Sequence, residues 1–318
     1  MQNMDTAITA NARFSSVNLG QHRSLNRELK QFASATLPYI MVAPSMIVFS
    51  VFILYPIGYM VYLSFFEWNM IGPKTFVGLD NFIGLIGDME FWQVVSNSFQ
   101  YTFFMVVFSV GFALPLAVYL KNKTKISSIM QSVIFTPHIV SLVSVAFIWM
   151  WLMDSDYGLL NYILKMAGIS PVGWLDSPKV ALFSLILVSV WKGIGYNTII
   201  LISAMQTIPA YLYEAASLDR AKKHTVFFKI TLPMISPTLF FLTLMNMISA
   251  FKVFETVNIM TQGGPMNSTN TLVYNIYQYG FNFYKIGNAS AIGVVLMAII
   301  GVCTYLYFKV LNSRVYYR

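Results

Sequence analysis

Six blocks of apolar residues, at about 37–66, 97–120, 128–152, 180–205, 232–256 and 289–311, dominate this chain. Each is long enough for a helix to cross the hydrocarbon core of a bilayer, which takes about 20 residues at 1.5 Å apiece. In lipid every backbone polar group must be satisfied within the protein, so blocks of this length leave helices as the solution: an all-α integral membrane protein with six transmembrane helices. Composition agrees, since 57% of the 318 residues are hydrophobic and 10% are charged, against about 25% charged in an ordinary soluble domain. The first block is too long for a cleaved signal peptide and no small-x-small site closes it, so it is expected to stay as an anchor. The single Cys303 excludes an internal disulfide and a cysteine-based zinc site.

Six spans put both termini on one side, and the distribution of lysine and arginine says which. Residues 1–36 read as a polar, largely disordered tail with Arg13, Arg23, Arg27 and Lys30. The loop at 121–127 adds Lys121, Lys123 and Lys125; the segment 206–231 adds Arg220, Lys222, Lys223 and Lys229; the C-terminal end adds Lys309, Arg314 and Arg318. These hold most of the 20 basic residues, while the alternate loops hold Lys74, Lys165, Lys179 and Lys285. By the positive-inside rule the richer set faces the cytoplasm, and with it both termini. The net charge of +8 is therefore read as topology, and no nucleic-acid partner is expected. Prolines interrupt the spans at Pro56, Pro115, Pro137, Pro233 and Pro237, where a kink or a cavity lining is expected.

Between the fourth and fifth spans lies a polar, basic stretch at 208–237. It keeps Leu212, Ala215, Ala216 and Leu218 at helical spacing among Glu214, Asp219, Arg220, Lys222 and Lys223, which predicts a short amphipathic helix whose apolar face docks on something. Signatures of enzymes are missing: there is no phosphate-binding G-x-x-x-x-G-K-[ST], no H-E-x-x-H and no G-x-S-x-G. No catalytic or metal-binding residue is expected, and the chain is not expected to hydrolyse ATP.

The stretch YEAASLDRAKKHTVFFKITLPMISP resembles the EAA loop of bacterial ABC importer permeases, whose pattern runs E-A-A, D-G-A, an aromatic stretch and I-x-L-P-x-x-x-P. FVGLDNF at 76–82, WKGIGYN at 191–197, AMQTIP at 204–209 and NIMTQGGPMNSTNTLVYNIYQYGF at 258–281 resemble the sugar branch that includes the maltose and glycerol-3-phosphate permeases. The likeness runs from about Leu37 to the C-terminus. It implies a type I importer permease of the cytoplasmic membrane, paired with a second homologous permease, two ATPase subunits that hold ATP and Mg, and an extracytoplasmic solute-binding protein. This chain itself would bind no cofactor. By the resemblance Glu214, Ala215, Ala216, Asp219 and Arg220 form the cytoplasmic coupling helix against the ATPase, and Gly263, Gly264 and Pro265 meet the binding protein. Arg220 stands where the family pattern has glycine; a positive φ there would add strain of order 1 kcal/mol, and the expectation is an exposed, harmless side chain.

The same resemblance places His138, Ser189, Gly193, Tyr196 and Asn246 along the saccharide path. Lys192 lies near the middle of its span, about 18 Å from either end, beyond the reach of snorkelling and so facing protein or water. Lys252 and Glu255 sit about a turn from the outer end, where snorkelling or mutual pairing is expected. Lys192, Lys252 and His138 together point toward a substrate with negative charge, such as an oligouronide or a phosphorylated polyol. An ion-coupled secondary transporter or channel is the rival class, but no carboxylate lies at the centre of any span.

Overall fold

The structure is a computed structural model that describes residues 37–122 and 124–311. The tail expected over 1–36, Lys123, and Arg314 and Arg318 lie outside the described residues. The chain divides at Tyr59 and Met60 into two compact units.

The first unit is carried by helix α1, Leu37–Leu63. Its side chains up to Tyr59 are exposed apart from half-buried Ala43, as suits a helix that is apolar all round and solvated by lipid. Pro56 cannot donate to the preceding turn and its ring crowds the carbonyl four residues back. A π-helical turn at Ser50–Leu54 lies just before it and widens the helix there.

The second unit begins with a two-stranded antiparallel ribbon, β1 Phe66–Glu67 and β2 Thr75–Phe76, in which Phe66 faces Phe76. Helices follow: α2 Asp80–Gly87, α3 Met89–Leu120, α4 Lys125–Ile139, α5 Leu142–Leu152, α6 Leu159–Met166, α7 Ala181–Gln206 and α8 Ala210–Leu218. After them come α9 Lys223–Met234 and α10 Ser236–Phe251, α11 Leu272–Tyr277, and α12 Ile286–Leu311. Among the described residues α1, α3, α7 and α12 are each long and apolar enough to cross a membrane, and the total reaches six when each of the bent pairs α4–α5 and α9–α10 is counted as one span.

Three expected spans need correction. The block at 97–120 begins eight residues earlier, at Met89, because Asp88 caps the helix by accepting the N–H of Glu90 at 2.9 Å; its first turns are too polar to read as membrane. The block at 128–152 is two helices bent by 97°. Pro137 lies in the last turn of α4, and Val140 leaves the helix with φ −65° and ψ 142°. The block at 232–256 starts inside the basic stretch at Lys223, bends by 68° at Ile235 between Pro233 and Pro237, and stops at Phe251. A hydropathy window sees apolar length and misses these breaks.

Helices α3 and α7 form the central pair of this unit and pack along most of their length. Ala113 and Ala117 on α3 are fully buried against Leu201 and Ile202 of α7. Small residues are what lets two membrane helices approach when apolar burial between them brings no gain over lipid. Farther along, Tyr101, Leu185, Val188 and Met153 make a second cluster, and Val94, Leu272 and Ile292 a third that seats α12.

Candidate functional site

Between α4, α7 and α10 lies a cavity of about 510 Å³. All seven residues expected along the path line it: His138, Ser189, Lys192, Gly193, Tyr196, Asn246 and Lys252. Six of them come from three separate helices, α4, α7 and α10, and Lys252 follows directly on the end of α10 at Phe251. Sequence reading missed Tyr101, Asn197, Ser249 and Thr256, which complete the lining with Glu255. A hydroxyl or amide inside an apolar span was the signal available for each.

Several of these polar groups spend their hydrogen bonds on one another. Tyr101 donates to Ser189 Oγ at 2.6 Å. Asn197 donates to Ser109 Oγ at 2.7 Å and to Asn246 Oδ1 at 3.2 Å, and Asn246 donates back to Asn197 Oδ1 at 3.0 Å and to the carbonyl of Leu242 at 2.8 Å. Both amides thereby use both of their donors. Asn246 and Ser189 thus tie α3, α7 and α10 together at the cavity wall. The groups left facing the space are exposed Tyr196, Ser249, Lys252 and Glu255 among Met105, Phe241 and Met245. An aromatic face with a few polar tips on an apolar lining is the usual build of a small-molecule site. The expectation for Lys252 and Glu255 is snorkelling or mutual pairing; no ion pair joins them among the described residues, and both side chains are exposed and line the cavity.

Lys192, expected to face protein or water, does both: it lines the cavity and turns its ammonium to protein carbonyls. Its Nζ donates to the carbonyls of Pro137 at 3.1 Å, His138 at 3.1 Å and Val140 at 2.6 Å, all at the break between α4 and α5. On the same face of α7, Tyr196 stacks on His138 with ring centres 4.6 Å apart and planes 16° from parallel. Gly195 lies against the backbone of α4, where a β-carbon would run into the carbonyl of Ile134.

Helix α8 carries the expected coupling residues. Leu212, Tyr213 and Ala216 face inward, and Tyr211, Glu214, Ala215 and Leu218 form an exposed stripe at helical spacing. The helix has apolar residues on both faces, where the sequence suggested one. Tyr213 anchors it: its hydroxyl lies 3.1 Å from Thr231 Oγ1 of α9 and its ring lies 5.1 Å from Lys121 Nζ. At the helix end the N–H of Arg220 bonds the carbonyl of Ser217 and that of Ala221 bonds the carbonyl of Ala216. That bond pair is a Schellman motif, which needs a left-handed residue after the cap. Arg220 supplies it at φ 52°. The position is exposed, as expected, but it is not harmless, because the glycine of the family pattern would adopt this conformation without strain.

The loop at 262–270 is a built structure and not a plain turn. Gln262, Gly263, Met266 and Asn267 all have positive φ. Gly263, at φ 80°, sits where a β-carbon would come within 2.8 Å of the Tyr274 ring, so both its conformation and its space exclude a side chain. Asn97 of α3 donates to the carbonyls of Asn267 at 2.7 Å and Asn270 at 3.0 Å, and Gln93 donates to that of Met266 at 3.1 Å. Gly263, Gly264 and Pro265 are thus held on the first turns of α3, with Met266 projecting outward. Beside this loop the phenol of Tyr279 is pushed above its ordinary pKa by burial and by the charges of Asp88 and Glu90.

The second unit thus sets bent apolar helices around a lined cavity and places a short helix with an exposed stripe, α8, between them. Residues 80–317 match the family described as "Binding-protein-dependent transport system inner membrane component". The chain belongs to this family, the multi-pass inner-membrane permeases of ABC importers. It is 33% identical to the sn-glycerol-3-phosphate transport system permease protein UgpA of Escherichia coli, over 90% of this chain and 98% of that one. It is 32% identical to the trehalose/maltose transport system permease protein MalF of Thermococcus litoralis, over 92% of this chain and 98% of that one. The fold is that of type I importer permeases: it superposes on a chain of a bacterial alginate ABC transporter, solved in complex with an alginate pentasaccharide-bound periplasmic protein, with a TM-score of 0.78 at 22% identity, covering 89% and 96% of the two chains.

Proposed function

We propose that this chain is the permease subunit of an ATP-driven importer that moves a saccharide through the cavity between α4, α7 and α10 by alternating access. The observation that carries the reading is the convergence of His138, Tyr196, Ser249 and Lys252 from separate helices on one cavity, in a chain a third identical to permeases named for a polyol phosphate and for disaccharides. An aromatic face beside hydroxyl, amide and ionic groups suits a polyhydroxyl solute. A secondary transporter would need a carboxylate deep in a span, and Glu255 lies beyond the end of α10.

Energy would come from partner chains. Of two ATPase subunits binding ATP and Mg, one would dock on the exposed stripe of Tyr211, Glu214, Ala215 and Leu218, with Asp219 and Arg220 at its end. A second homologous permease would complete the path, and a solute-binding protein would sit on Gly263, Gly264 and Pro265. This arrangement puts α8 and both termini in the cytoplasm, in line with the distribution of lysine and arginine. A cysteine at Ala215, with Cys303 replaced by serine, should cross-link to the ATPase in an active complex; one at Ala216, which faces inward, should react far less. Equal labelling of the two would contradict this docking face.

Exposed Lys252 favours an acidic saccharide such as an oligouronide among the substrates. Uptake of an alginate trisaccharide and of maltotriose by the reconstituted transporter tests this. The acidic sugar should lose uptake in Lys252→Gln, and indifference to that change would remove Lys252 from recognition.

A further inference from the structure

We propose that residues 191–196, WKGIGY, form a clasp that sets the break between α4 and α5, and that Lys192 is a positioning residue for the His138 wall of the cavity and not a reader of substrate charge. The last carbonyls of a helix have no partner within it and must find one outside. At the end of α4 three such carbonyls, of Pro137, His138 and Val140, converge on a single ammonium. An ammonium has three donors, and here all three are used. Its charge also lies at the negative end of the α4 dipole, which answers the otherwise costly placement of a lysine within a span.

Four residues of one short stretch of α7 act on the two sides of the break. Trp191 meets Trp149 of α5 edge-on with ring centres 5.5 Å apart. Lys192 takes the carbonyls at the corner, Gly195 lets the backbone of α4 close in at Ile134, and Tyr196 stacks on His138. Positions 192, 195 and 196 share a helix face by their spacing of three and four. With its donors spent on backbone, Lys192 has none to offer a carboxylate, and a solute meets its effect through the placement of His138.

The geometric part stands whether or not the cavity carries saccharide; the effect on uptake rests on the function proposed above. In the complete transporter in nanodiscs, with Cys303 replaced by serine, spin labels at exposed positions 132 of α4 and 147 of α5 report the angle at the break by pulsed dipolar spectroscopy. The native chain should give one narrow distance distribution, Lys192→Gln a broadened or shifted one, and Lys192→Arg, which keeps donors for carbonyls, the native one. A native distribution in Lys192→Gln overturns the clasp. A measurement on the unaltered chain decides the matter even if the variant does not assemble: reductive methylation with formaldehyde and cyanoborohydride should modify Lys192 about tenfold more slowly than Lys252 in the same cavity, because its donors must first leave their carbonyls. Equal rates overturn the proposal. Uptake of maltotriose and alginate trisaccharide should fall by the same factor in Lys192→Gln; selective loss of the acidic sugar would restore Lys192 as a charge reader. Uptake of neither sugar by the native transporter would count against the saccharide reading, while the distances and methylation rates would still judge the clasp.

Discussion

At the scale of single residues, strain and satisfaction decide what each side chain contributes. Arg220 holds a left-handed conformation that costs a non-glycine residue about 1 kcal/mol or slightly more, in exchange for ending α8 with a Schellman motif. Arg220→Gly should therefore stabilise the detergent-solubilised chain by roughly that amount in thermal unfolding, and Arg220→Val should destabilise it, since a β-branched side chain fits this conformation worst. The Asn197–Asn246 pair makes the opposite case. Its two reciprocal bonds at 3.2 and 3.0 Å join α7 to α10, and a double-mutant cycle with alanine at both positions should return a coupling of about 1 kcal/mol, the scale of polar pairs between membrane helices. Independent effects of the two changes would show that each amide is satisfied elsewhere. The sequence marked Asn246 as a site residue and passed over Asn197, because nothing in a one-dimensional pattern says which neighbouring helix a buried amide faces.

At the scale of elements, the spans were legible as lengths and illegible as shapes. Apolar blocks of about 20 residues or more mark six candidate crossings by physics that needs no partner. The bend at Ile235 lies between Pro233 and Pro237 and was marked locally, whereas the carbonyls at the break near Val140 are met by Lys192 of a neighbouring helix, which no local pattern shows. The motif around α8 was readable because its spacing is local, yet which of its faces turns inward depends on α3 and α9 and was not. Close helix approach gives a sharp test. Gly195→Ala would push a β-carbon into the backbone of Ile134, whereas Gly193→Ala would meet only the Ser109 hydroxyl, at 3.3 Å. The first should cost about 1–3 kcal/mol as overpacking and lower uptake with it; the second should be mild. Equal stability of the two variants in urea or thermal melts would mean that α4 is free to slide away from α7.

At the scale of the whole second unit, the loop at 262–270 and helix α8, the two docking elements of the proposed assembly, are attached at different places on the same helix. The loop at 262–270 is fastened to the first turns of α3 by Gln93 and Asn97, and α8 is fastened near the end of α3 through Lys121 over Tyr213. Helix α3 runs from Met89 to Leu120, about 48 Å at 1.5 Å per residue, and packs on α7 along the cavity. In the proposed assembly one continuous helix bound to a loop at one end and to α8 at the other would be a direct way to carry motion across the membrane. In the proposed assembly, changes at the two ends should then separate in kinetics. Asn97→Ala removes two hydrogen bonds to the loop, and at roughly 1 kcal/mol each it should raise the concentration of solute-binding protein needed for half-maximal ATPase stimulation by about tenfold or more while leaving the unstimulated rate unchanged. Lys121→Met, which removes the ammonium over the Tyr213 ring, should lower the maximal stimulated rate and leave that concentration where it was. If both variants shift the same parameter, α3 does not act as a rod, and coupling must run through the helices around the cavity instead.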